Sequence, residues 1–184
     1  MDVYLWWIGG GPADHELLGE VRRQAEQTFR VNARAWLHHG RPTDAYDPRR
    51  QQHSSTRILK WLIASRPAHA EKIVGITDVD LFIPILTFVY GEAQLGGQAA
   101  VVSTARLLSD NGFRPDPGLL AARLQKECLH ELGHTFGLLH CSLPLCVMAR
   151  SVTLAQVDVK EPRLCHDCES RFAEIRKQGH PHHE

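Results

Sequence analysis

The sequence has no excess of charge of either sign, since 21 lysines and arginines balance 21 aspartates and glutamates. A neutral chain sets up no global field toward nucleic acid or anionic lipid, so neither is expected as a partner. Its basic pairs, Arg22-Arg23 and Arg49-Arg50, are short and read as solvated surface. Also missing is any apolar run approaching the ~18–20 residues needed to span a bilayer as a helix. The opening MDVYLWWIGG lacks a basic leader and reads as a strand and turn rather than a secretion signal. There is no internal repeat and no low-complexity linker, and 184 residues suit one domain, 1–184, rather than two. A cytoplasmic monomer is therefore expected. In that compartment thiols stay reduced and clustered cysteines bind metal more often than they form disulfides. All five cysteines lie between 128 and 168.

Periodicity suggests an α/β layout with a mostly sequential sheet. Val3 to Ile8 reads as a strand. Asp14 caps a helix whose stripe is Leu17, Leu18, Val21, Ala25 and Phe29, and Val31 to Leu37 is a second strand. The polar segment 38–53 reads as a surface loop. Ser54 or Ser55 starts a second helix, with Ile58, Leu59, Leu62 and Ile63 inward, ended by Pro67. The strand-like runs KIVGITDVDL, ILTFVYGEA and QAAVVSTARL follow, with a bend at Gly96-Gly97. Asp78 and Asp80 read as turn-formers, or else as partners for a histidine. Asp116 and Pro117 open a long helix that runs to about Phe136 and is stopped by Gly137. The remainder reads as irregular until a short helix from about Glu169 to Lys177.

The chemistry sits on and after the long helix. His130 and His134 are four apart, so both imidazoles leave one helical face, as two ligands of one zinc would. Glu131 is rotated off that row yet near enough to serve as general base toward an attacking water. Gly137 permits a reversal that returns His140 as third ligand, and three nitrogens leave a position open, the mark of a catalytic zinc site. Two surface histidines on an amphipathic helix would be the plain alternative. Against it, Leu120, Leu124, Cys128 and Leu132 form the apolar side while Glu127, His130 and His134 line another. His15-Glu16 begins the same motif without a second histidine and reads as the start of a covering helix.

A second set combines Cys141 and Cys146 with Cys165 and Cys168. Two such pairs suit a closed, four-coordinate structural zinc, which would supply folding free energy to a segment of weak hydrophobic periodicity. A thioredoxin-like redox pair also has the C-x-x-C spacing, but a second pair is at hand and no βαβ context surrounds it. Cys128 reads as a buried core thiol. The tail histidines His180, His182 and His183 read as part of a disordered terminus.

The run HELGHTFGLLHC resembles the extended histidine motif of the metzincin zinc peptidases, with Met148 where their Met-turn methionine lies. Met148 is followed by Ala149 and Arg150, so the tyrosine that some metzincins carry there has no counterpart. Joined directly to Cys141, Cys146 and Met148 and closed by CHDC, the pattern is similar to the archaemetzincins. The likeness covers roughly residues 72 to 172. It implies a compact metzincin-like α/β domain with a twisted mixed sheet, a backing helix and an active-site helix in 1–137. An irregular, zinc-clipped part would occupy 138–184. It further implies two zinc ions. The catalytic one would be held by His130, His134 and His140 with Glu131 as base, and the structural one by Cys141, Cys146, Cys165 and Cys168. An edge strand carrying Tyr90, Gly91, Glu92, Ala93 and Gln94 would pair with extended peptide or protein substrate. The implied activity is peptide-bond hydrolysis, with an aminopeptidase as one form. A peptide- or protein-binding module with little turnover is the alternative on the same scaffold.

Overall fold

The computed structural model describes residues 1–11, 15–37, 40–108 and 117–178. The first strand, β1 (Asp2–Trp7), is followed by α1 (His15–Phe29) and β2 (Asn32–Leu37). α1 buries Leu18, Val21, Ala25 and Phe29 at helical spacing, and Leu17 packs partly buried beside them. Its first residues, His15 and Glu16, are exposed, as expected of a covering helix. Asp14 lies outside the described residues, as do Asp116 and the tail histidines His180, His182 and His183.

The segment expected as a surface loop is partly ordered into a second small sheet. After a 3-10 turn at Thr43–Ala45 come β3 (Tyr46–Asp47) and β4 (Gln52–Ser54), and β4 pairs in parallel with β6 (Leu81–Phe82). Strands of two or three residues are too short to show alternation. A polar contact anchors them instead, since the buried Gln52 amide donates to Asp80 Oδ2 and to the Thr87 carbonyl, both at 2.9 Å.

α2 (Ser55–Ser65) starts where its cap predicts, with the Ser54 hydroxyl accepting from Arg57 N, and it ends two residues before Pro67. β5 (Lys72–Thr77), β7 (Gly91–Ala93) and β8 (Ala99–Ser103) complete the main sheet, whose order is β2-β1-β5-β8-β7. It is mixed, as expected, with β7 antiparallel to β8 at the edge and every other pair parallel. Its order is not sequential. The chain winds from β1 out to β2, then back past β1 to β5, and crossovers of one hand in opposite directions send α1 and α2 to opposite faces. Val3, Leu5 and Trp7 accordingly join the core under α1, while Tyr4, Trp6 and Ile8 join the core under α2. Of the run ILTFVYGEA only Gly91–Ala93 is strand. Residues 83–90 pass over the sheet edge as a loop in which Ile85 is 86% exposed.

α3 (Pro117–Thr135) shares the α1 face and is sunk deep in the protein. Leu124, Cys128 and Leu132 are nearly inaccessible, Cys128 being a core thiol as its place on the stripe suggests. Gly137, at φ +93°, ends the helix in the left-handed conformation that glycine adopts without steric cost.

The C-terminal part holds more helix than its periodicity suggested. α4 (Leu154–Val159) is closed by a capping box between Thr153 and Gln156, and α5 (His166–Gln178) begins three residues before the expected start. α4 is only six residues long, and it is held by its buried Leu154 and Val157 together with polar bonds from α3. Arg123 of α3 grips Asp158 through two bonds of 2.7 Å, and Lys126 Nζ caps the Val157 and Asp158 carbonyls at 3.2 and 2.9 Å. No helix among the described residues is long and apolar enough to cross a membrane.

Candidate metal centres and the cleft above them

The sequence of α3 brings His130 and His134 one turn apart, and the backbone around them fixes both rings. His130 Nδ1 lies 2.8 Å from the Val147 carbonyl and His134 Nδ1 lies 2.7 Å from the Leu138 carbonyl. A carbonyl only accepts, so each Nδ1 is the protonated nitrogen and each Nε2 carries a lone pair. Those two Nε2 atoms are 3.1 Å apart, with no proton to share. Two lone pairs held that close repel unless a cation lies between them. Ligands of a tetrahedral zinc at ~2.0–2.1 Å stand roughly 3.3 Å from each other, so the spacing fits. The His140 ring arrives from beyond Gly137, its centroid 5.3 Å from that of His130 and 4.9 Å from that of His134. One donor nitrogen from each of the three lies within 4.8 Å of the others, a set that could hold a metal ion. Burial lowers the basicity of all three, most for His130, which keeps the imidazoles neutral and able to ligate.

Cys141, Cys146, Cys165 and Cys168 form the second set, also with donors within 4.8 Å of one another. The sulfurs of Cys141 and Cys165 stand 3.7 Å apart, too far for a disulfide and close to the roughly 3.8 Å between thiolates on a tetrahedral zinc. All five cysteines are free thiols. Backbone amides turn toward the sulfurs, with Leu143 N donating to Cys141 Sγ and Cys165 N to Cys146 Sγ at 3.4 Å each. For Cys146 burial outweighs that contact and raises the thiol pKa, so metal ligation there entails release of the thiol proton.

The two sets share one frame. Cys141 N donates to the Met148 carbonyl at 2.9 Å, and Cys141 and Ala149 form a parallel bridge. In that extended backbone, His140 and Cys141 serve different clusters. The same short segment holds Val147, whose carbonyl orients His130, and Met148, whose thioether packs beneath α3 directly against Gly133.

Glu131 is buried beside the histidines, and burial pushes its carboxyl well above the ordinary range, with the nearby Glu127 charge adding to the effect. Glu127 lies on the same side of α3 and is bound to Lys160 at 3.0 Å, both side chains almost fully buried. Above these groups opens a cleft of about 490 Å³, walled by the 83–91 loop on one side and by Arg150, Ser151 and Val152 on the other. Of the expected substrate strand, Tyr90 and Gly91 line this cleft. Glu92 instead accepts from the Thr56 hydroxyl, Ala93 packs on the core, and Gln94 accepts from Gln98 N near the hairpin turn. The outer edge of β7 has no strand partner among the described residues. Asp78 and Asp80 do not touch the histidines. Asp78 accepts from Gly10 N, Gly11 N and Arg41, and Asp80 from Arg106 and Gln52.

Several participants were not read from the sequence: the Val147 carbonyl, Gly133, the Glu127–Lys160 pair and Arg150. Only α4 left a readable signal, the Thr153-x-x-Gln156 box before Leu154 and Val157.

Comparison with known proteins agrees with this geometry. Residues 57–174 match the sequence model of peptidase family M54. An archaemetzincin of Natronomonas pharaonis is 38% identical over 165 residues, covering 85% of this chain and 94% of that protein. The crystal structure of an archaemetzincin from Methanopyrus kandleri superposes with a TM-score of 0.83 at 32% identity, over 95% of this chain and 96% of the other. The crystal structure of a zinc-dependent peptidase from Methanocorpusculum labreanum gives 0.83 at 28% identity, over 92% and 99%. With the histidine and cysteine sets arranged as they are, the chain belongs to peptidase family M54, the archaemetzincins.

Proposed function

We propose that this metallopeptidase hydrolyses peptide bonds in the cleft above α3, with Glu131 as general base and one zinc ion in each donor set. The observation that carries the reading is the pair of unprotonated Nε2 atoms 3.1 Å apart at the floor of that cleft. His130, His134 and His140 would hold the zinc, which would supply Lewis acidity toward a substrate carbonyl and a water. The protein's own part is positional. Val147 and Leu138 aim the imidazoles, and Glu131 accepts the proton of the attacking water and passes it to the leaving amine. Its burial favours proton uptake, which suits a base. The free edge of β7 supports an extended substrate laid alongside it. The set of Cys141, Cys146, Cys165 and Cys168 serves as the structural site, in a compartment that keeps thiols reduced.

An aminopeptidase needs a carboxylate free to hold the substrate amine. Glu127 is the other acid lining the cleft, and Lys160 already neutralises it. The geometry therefore favours peptide hydrolysis without amine anchoring.

Glu131→Gln tests the proposal. Metal analysis is expected to return two zinc ions per chain, with peptide turnover reduced by at least about 100-fold. Turnover at the parent rate would rule out Glu131 as the base.

A further inference from the structure

Arg150 stands on the cleft wall, and it is the only lysine or arginine among the described residues that line the cleft. It is exposed, and no hydrogen bond or ion pair ties it among the described residues. Arginines on this protein are commonly engaged: Arg41, Arg106 and Arg123 each hold an aspartate. The next residue, Ser151, also lines the cleft, and its hydroxyl is shielded from solvent without a hydrogen-bond partner among the described residues. A rotation about Cα–Cβ is all a serine needs to redirect such a donor. The surroundings are apolar, with Leu86, Phe88 and Val152 lining the same space. Arg150 is near enough to the histidine cluster for its charge to lower the basicity of His140.

A guanidinium and a hydroxyl on adjacent residues of the cleft wall, neither with a partner among the described residues, describe a receptor for an anion with two acceptor oxygens. Two anions are available during peptide hydrolysis: the oxyanion at the scissile carbon and a carboxylate elsewhere on the substrate. Exposure decides between them. The reacting centre is at Glu131, which is buried, whereas Arg150 sits at the solvent-facing rim. An exposed rim cation is screened from a charge that develops at the buried centre, whereas a carboxylate at the rim can meet it directly through paired hydrogen bonds.

The geometry points to Arg150 and Ser151 as a specificity subsite for a substrate carboxylate, borne by the chain terminus or by an acidic side chain. The inference rests on the peptidase reading for the purpose of the cleft, but its binding test does not depend on turnover. The substrate is thus a peptide with apolar side chains for the cleft and one carboxylate at its rim. Arg150 here is a binding residue and takes no part in proton transfer.

The experiment uses zinc-loaded Glu131→Gln protein, which binds without cleaving, and three N-acetylated apolar peptides of equal length. The first ends in a free carboxylate, the second in an amide, and the third in an amide with a glutamate in place of one apolar residue. Calorimetry is expected to give one of the two carboxylate peptides about fivefold tighter binding than the neutral amide. Which one it is identifies the source of the carboxylate. Adding Arg150→Gln should bring that peptide to the level of the amide while leaving the affinity of the amide unchanged. Equal affinities, no measurable binding of any peptide, or a preference that survives Arg150→Gln overturns the inference. Digestion of the same peptides by the unsubstituted protein keeps the two readings apart. A carboxylate preference in binding with no cleavage removes the peptidase reading and leaves the subsite standing.

Discussion

Gly91 of β7 and Glu131 of α3 are packed so closely that the strand has no room for a side chain there. A β-carbon at position 91 would stand 2.7 Å from Glu131 Cγ, 2.9 Å from its Oε1 and 2.7 Å from the Val101 carbonyl. Gly91, expected only as part of a substrate-binding strand, therefore also forms one wall of the slot that holds the carboxylate.

Gly91→Ala is expected to push Glu131 from its position while sparing the metal ligands. A shift of that kind costs roughly 10- to 100-fold in kcat, with overpacking adding about 1–3 kcal/mol of destabilisation. Steady-state kinetics beside zinc analysis checks this, the expected pattern being full zinc content with reduced kcat. Unchanged kcat would mean that Glu131 tolerates the displacement.

Cys141→Ser should be felt at the histidine site. Cys141 N holds the Met148 carbonyl, and the neighbouring Val147 carbonyl orients His130, so loosening the cysteine cluster frees the frame behind two of the three imidazoles. Loss of an orienting partner typically weakens a metal site by about 10- to 100-fold. Chelator competition on the histidine site measures it, and an unaltered affinity there would separate the two centres.

Lys160→Met leaves the Glu127 carboxylate buried without a partner, since the pair is nearly inaccessible on both sides. The expected loss is about 3–5 kcal/mol, and a Lys160→Met/Glu127→Leu double variant should recover most of it. Denaturant unfolding in zinc-replete buffer reads both. If the double variant is no more stable than the single one, the buried charge is not the cause.

Asp158 carries a pH signature. The hydrogen bonds from Arg123 hold its carboxyl below the ordinary aspartate range, with partial burial opposing them. A depressed acid contributes stability above its unfolded pKa and loses it as pH falls through the folded one. Between about pH 5 and about pH 3 the parent protein should therefore lose more thermal stability than Asp158→Asn does. Parallel melting curves for the two proteins across that range would fail to diverge if the Arg123 contact were without weight.

Local signals carried far into this fold. A four-residue spacing suffices to bring His130 and His134 to one helix face, because helical geometry is set by the backbone alone. Gly137 at positive φ and Ser54 at a helix start are of the same kind, each satisfying backbone demands within a few residues. The short pairings of Tyr46–Asp47 and Gln52–Ser54 were not legible, because strands that brief are held by distant partners such as Asp80 and Leu81. The six-residue α4 is marked locally by its Thr153-x-x-Gln156 box alone, because anchors such as Arg123 and Lys126 lie on another helix.

The sequence by itself determined which residues are proposed to carry the chemistry: three histidines, a glutamate and four cysteines at spacings that short-range geometry can interpret. Only the tertiary structure decided how they are held and what faces them. The Val147 carbonyl reaches His130 across 17 positions, Gly91 meets Glu131 across 40, and Lys160 meets Glu127 across 33. Contacts of that separation depend on chain packing, and no local periodicity encodes them. Arg150 shows the difference in a single residue: in the sequence it marks a missing tyrosine, and in the structure it is a cation on the cleft wall without a partner among the described residues.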